Sequence, residues 1–138
     1  MKLVKPKIEF KRLPIVKFYG ESIYDVWHVF RNDRPVVMEH FLKLDKQRQD
    51  EIKDIIGKMA TIPDYSASVK WRLKNQKYGE IEPWGHRFFF FIKFGKHIVF
   101  FDYREKKRSG PLPQEVYSLI EKNRKFYESE FARFITSN

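Results

Sequence analysis

The sequence predicts an α+β domain: a small, mostly antiparallel sheet with an early helical hairpin and a C-terminal helix packed on it. Three observations carry the prediction. Apolar residues recur every three or four positions in two stretches, one between residues 35 and 60 and one after Pro113. Between and before them lie runs rich in β-branched and aromatic residues that lack that period. HRFFFFIKF and HIVFFDY flank Gly95-Lys96, the spacing of a two-residue hairpin loop.

Residues 1–19 alternate lysine and apolar residues around Pro6 and Pro14, the pattern of an extra edge strand or a basic arm, so residues 1–20 are set apart from a single domain over 21–138. Ile23 to Phe30 reads as a strand closed by the polar turn Arg31-Asn32-Asp33. Pro35 suits a first helical turn, and Phe41, Leu44, Ile52, Ile55, Ile56 and Met59 follow on one stripe. Asp45 is the cap of a second helix if this stretch is a hairpin instead of one rod. Val69 to Leu73 is a short strand, followed by a loop punctuated by Gly79, Pro83 and Gly85.

If Phe94 faces His97, then Ile92 pairs with Val99, Phe90 with Phe101 and Phe88 with Tyr103 on a core face. The other face is then mixed, with Arg87, Asp102 and Arg104 at its open end. REKKRSGPLP is a basic loop, and Pro113 opens the last helix with Val116, Leu119, Ile120, Tyr127, Phe131 and Phe134 on one stripe.

The 138 residues carry a formal charge of +10 and no cysteine, which excludes disulfides, thiolate metal sites and a cysteine nucleophile. The longest unbroken apolar run, Phe88 to Ile92, is far short of a membrane span, and MKLVKPKIEF lacks a signal-peptide core, so the expectation is a cytoplasmic protein with no membrane partner. The helical stretches are nearly neutral, whereas residues 1–19, 67–77 and 86–108 carry +5, +4 and +5. A polyanion is the expected partner of the sheet side. The four histidines, at 28, 40, 86 and 97, have no metal-ligand spacing, and neither a Gly-rich phosphate loop nor a serine nucleophile motif occurs, so no cofactor and no metal are expected.

Four stretches together resemble the toxins of bacterial toxin–antitoxin pairs, of the RelE/ParE/HigB superfamily and closest to its phage-derived HigB-like branch. RPVVMEHFLKLDKQRQDEIKDIIGKM is similar to the early helical segment, EIEPWGHRFFFF to the strand entry, FFDYREKKRSGPLP to the strand end with its Lys-Lys pair and proline, and EVYSLIEKNRKFY to the terminal helix. Glu82 stands where many members carry a basic residue. The resemblance covers about residues 23–131 and implies a RelE-like fold and an endoribonuclease that cuts mRNA, often on the ribosome, without a metal and under the control of a cognate antitoxin.

Such chemistry needs a base for the ribose 2′-OH, cations around the phosphorus and an acid for the leaving 5′-oxygen. The resemblance implies roles for Arg87, whose guanidinium fork suits phosphate, and for Lys106 and Lys107 in the basic loop. Arg87 in an ion pair with Asp102 is the structural alternative. The nearby acid–base candidates are His86, His97, Asp102, Tyr103 and Glu82, of which His86 and Tyr103 are taken forward, although strand alternation turns His86 to the face opposite Arg87. Lys70, Arg72, Lys74 and Lys77, with Arg104 and Arg108, are read as RNA-binding through phosphate contacts, against lysines that merely blunt an edge strand. Trp84 is read as plugging its loop, with stacking on a nucleotide as the other reading. Two other functions compete: a ParE-like gyrase inhibitor that cuts nothing, and a non-catalytic basic RNA-binding module.

Overall fold

Phe88 to Phe91 are at most 1% exposed, which a strand achieves only with apolar layers on both faces. The computed structural model, which describes residues 4–14, 19–65, 69–71, 77–105 and 110–137, supplies those layers. In chain order the elements are β1 (Ile8–Arg12), β2 (Asp25–Arg31), β3 (Arg34–Pro35), α1 (Met38–Phe41), α2 (Lys46–Thr61), β4 (Lys70–Trp71), β5 (Gly79–Ile81), a 3-10 turn (Pro83–Gly85), β6 (His86–Lys93), β7 (His97–Glu105) and α3 (Gln114–Thr136). Among the described residues no helix is long and apolar enough to cross a membrane.

The strands form one sheet in the order β1-β2-β7-β6-β5-β4, with β3 also paired to β2. One face packs Val26, Ile98, Phe88, Phe90 and Phe100 against Phe41 of α1 and Ile52, Ile56 and Met59 of α2. The other packs Trp27, Val29, Phe89, Phe91, Val99 and Phe101 against Ile120, Tyr127 and Phe131 of α3.

The expected RelE-like arrangement, a small, mostly antiparallel sheet under an early helical hairpin, is corrected on two counts. The sheet has seven strands and is mixed, because β2 runs parallel to β7 through its centre. The early hairpin is not formed. Pro35 lies in β3 opposite Phe30, where its missing N–H costs little in a two-residue ribbon, and α1 is a single four-residue turn. Asp45 does cap α2, its carboxylate accepting from the Arg48 N–H at 2.9 Å.

The β6–β7 turn also differs from the expected register. Lys93 faces His97, so the loop is Phe94-Gly95-Lys96, with Phe94 and Gly95 both left-handed. Ile92 therefore pairs with Ile98 and Phe90 with Phe100, one position from the expectation. A bulge between Phe89 and Phe90 absorbs the offset, and Phe88 meets Tyr103. The hairpin's second face is core as well, closed by α3.

Candidate functional site at the open end of the β6–β7 ladder

Because β2 is parallel to β7, both strands finish at the same end of the sheet, and antiparallel β6 begins there. The β2–β3 turn, α1, the 3-10 turn and Gly110, ahead of α3, gather around this end. Asn32 and Asp33 both adopt positive φ, which lets the chain reverse tightly into β3. A cleft of about 350 Å³ opens beside that turn, lined by Arg31, Asn32, Arg34, Val36, Glu39 and His40.

On the sheet face toward α1 and α2, His86 and Tyr103 come together. The Tyr103 hydroxyl lies 2.7 Å from His86 Nδ1, and His40 of α1 stacks on the Tyr103 ring with centroids 4.2 Å apart and planes 15° from parallel. Phe88 supports the same ring from the sheet, 5.0 Å away. All three polar rings are half-buried.

Burial, aided by the carboxylate of Glu105, pushes the Tyr103 phenol up to about 12, so it keeps its proton at neutral pH. Burial also holds His40 below the usual histidine value, which leaves a neutral imidazole able to accept a proton. The phenol can donate to Nδ1 of a neutral His86 and accept from it once the ring is protonated, so the contact survives a change of charge on His86.

Arg87 lies on the opposite face, as the period of two requires, and is 3% exposed. Its Nη2 donates to the Gly110 carbonyl at 2.5 Å, and its Nη1 lies 3.7 Å from Glu80 and 3.2 Å from Glu82. The ion pair read for it with Asp102 is thus made with the two glutamates of the neighbouring segment instead. Glu82 is one of its partners. Arg104 stands directly opposite Arg87 in the ladder and lies 3.4 Å from Asp102, which also accepts from Asn123 of α3 at 3.3 Å.

Lys70 sits 3.8 Å from Glu80 and 3.7 Å from Glu82, so its charge is partly matched within the protein, and Lys77 is exposed where the chain enters β5. Arg72, Lys74, Lys106, Lys107 and Arg108 lie outside the described residues. Among the described residues no three His, Cys, Asp or Glu side chains are grouped so as to hold a metal ion.

Two residues gain significance only in three dimensions. His40 has no signal in the sequence, because its contact with Tyr103 joins distant parts of the chain. Trp84 does not plug its loop: it is 59% exposed and left-handed at φ 57°, followed by Gly85 at φ 81°. The remaining histidines are built into the fold. His28 is buried in β2, and His97 Nδ1 accepts from the Trp27 indole at 3.1 Å.

No family model, characterised protein or solved structure matches the chain.

Proposed function

We propose that the chain is a metal-independent endoribonuclease, acting as the growth-inhibiting toxin of a toxin–antitoxin pair. The observation that carries the reading is the contact set of His40, Tyr103 and His86 at one end of a basic protein. Neutral His40 takes the proton from the ribose 2′-OH, and the freed oxygen attacks the adjacent phosphorus. The bond to the 5′-oxygen breaks, and protonated His86 delivers its proton there. Tyr103 is a positioning residue that fixes the His86 ring before and after the transfer. The cyclic phosphate and the free 5′-hydroxyl balance the step. Exposed Arg31 and Arg34 flank the His40 cleft and supply positive charge for the phosphate path.

In this reading the substrate is mRNA, in the cytoplasm and on the ribosome, and a cognate antitoxin with an acidic surface covers the basic end of the sheet. Induced expression in a bacterial host, with primer extension on abundant transcripts, tests it. Discrete new 5′ ends with the native chain, absent with His86→Ala, are expected. Arrest without new ends would replace it with gyrase inhibition.

A second reading, a non-catalytic RNA-binding module, draws on Arg87. A guanidinium turned inward to Glu80, Glu82 and Gly110 is poorly placed to meet a phosphate. That reading predicts salt-sensitive RNA binding with no cleaved product at any protein concentration.

A further inference from the structure

Trp84 has an unusual setting for a large aromatic residue. A bulky side chain at positive φ is strained, and such strain persists only where the surroundings hold it. Here the holding groups come from α2. The Trp84 indole N–H donates to the Glu51 carboxylate. The Arg48 guanidinium lies 5.2 Å from the Trp84 ring centroid and is itself held by Asp45 at 2.6 Å. The ring is thus fixed in orientation, with a cation against it, and still 59% exposed. Burial does not account for the strained conformation, since the indole covers little.

The position of this ring gives it a use. Trp84 is two residues before His86, and its ring is tied to Glu51 and Arg48 of α2. The His86–Tyr103 pair faces the same helical layer, so the indole and the pair share the α2 side of the sheet end. Single-stranded nucleic acids are bound through an aromatic face for the base beside cations for the backbone, and stacking tolerates any base because each has a π-face.

We infer that the exposed face of Trp84 is a base-stacking platform that seats one nucleotide of single-stranded RNA beside the His86–Tyr103 pair. The inference rests on the endoribonuclease reading for its ligand class and adds what fixes the strand in place. Arg48, backing the indole, strengthens its hold on an electron-rich partner. Adenine, with the larger ring system, stacks better than uracil.

The test uses 2′-O-methyl hexa-adenylate, which lacks the attacking hydroxyl and is bound without being cut. Its affinity is measured with the native chain, with Trp84→Asn, which accepts the left-handed backbone, and with Trp84→Tyr. Trp84→Asn should weaken binding about tenfold. Trp84→Tyr should restore it to within about threefold, since a phenol still stacks. The unfolding midpoint of Trp84→Asn should match or exceed the native one, because the strain is relieved.

Equal affinity in Trp84→Asn overturns the inference, as does an equal loss for a hexamer of abasic 2′-O-methylribose phosphate, which offers nothing to stack. A native chain that cuts RNA while Trp84→Asn binds normally defeats the platform alone. Trp84-dependent binding without cleavage at any protein level supports the platform and defeats the endoribonuclease reading.

Discussion

His86 and Tyr103 are diagonal neighbours across the β6–β7 ladder: His86 is in register with Glu105 and Tyr103 with Phe88, yet hydroxyl and imidazole meet at 2.7 Å. The bulge makes this possible. By placing both Phe101 and Asp102 toward α3, it returns Tyr103 to the face that carries His86. Tyr103→Phe keeps the ring on His40 and Phe88 and removes only the hydroxyl. RNA cleavage should fall about 10- to 100-fold in kcat, with KM for the RNA held within about threefold, because the hydroxyl positions the His86 ring and does not bind substrate. Stability should change by no more than about 1 kcal/mol. An unaltered kcat in a folded variant would remove Tyr103 from the mechanism.

His28 makes the fold sensitive to acid. Burial first, and Lys11 second, lower its pKa from 6.5 to about 4, and its Nδ1 has no hydrogen-bond partner. Between those two pH values the unfolded chain binds a proton that the folded chain refuses. Stability is therefore whole above about pH 6.5 and is lost as pH falls toward 4, by roughly 3 kcal/mol for this residue. His40 and His97, also lowered, act in the same direction. His28→Leu should flatten the fall in urea midpoint between pH 7 and 4, while a variant as acid-sensitive as the native chain would assign the effect elsewhere.

Arg87→Ala should act first on the fold. The guanidinium is nearly enclosed, and its removal takes countercharge from Glu80 and Glu82 and a donor from Gly110. A loss of about 3 kcal/mol is expected, measured by chemical denaturation. Lost RNA cleavage in this variant is informative only at temperatures where it remains folded.

Phe94 occupies the hairpin loop at φ 55° while 62% exposed, so it carries left-handed strain and contributes little to the core. Phe94→Asn should raise stability by about 0.5–1 kcal/mol, seen as a higher melting midpoint. A decrease would show that its contact with Lys93, 5.2 Å from ring centroid to Nζ, outweighs the strain. Gly79 presents the opposite case. A Cβ there would sit 2.6 Å from the Phe90 ring, so Gly79→Ala should destabilise by about 1–3 kcal/mol.

What could be read from the sequence is what short-range chemistry decides. Asp45 caps α2 because a carboxylate three residues before a free N–H does so in any context, and Pro113 precedes α3 for a similarly local reason. The parallel β2–β7 pair was not legible, since no local pattern states which strand a strand will meet. The Phe88–Phe91 run held the clue to two covered faces, but a one-face register accounted for its alternate residues equally well. At the site, alternation separated His86 from Arg87 correctly, while His40 and the Glu80–Arg87 pairing depend on contacts between elements. The exposure of Trp84 was hidden for another reason: a loop tryptophan followed by glycine gives no sign of which way its ring turns.

The parallel pairing of β2 with β7 has a temporal consequence. Asp25 waits for His97 and His28 for Phe100, in each case 72 residues later in the chain. During synthesis the first ribbon and α2 emerge with no central strand to join, and such long-range closure is the slow step of folding. Tyr103, which joins His40 to His86, is itself on that late strand. A polypeptide released before residue 97 has neither the middle of its sheet nor its cluster of polar rings, so the activity proposed here is withheld from the nascent chain until β7 has been made through Tyr103.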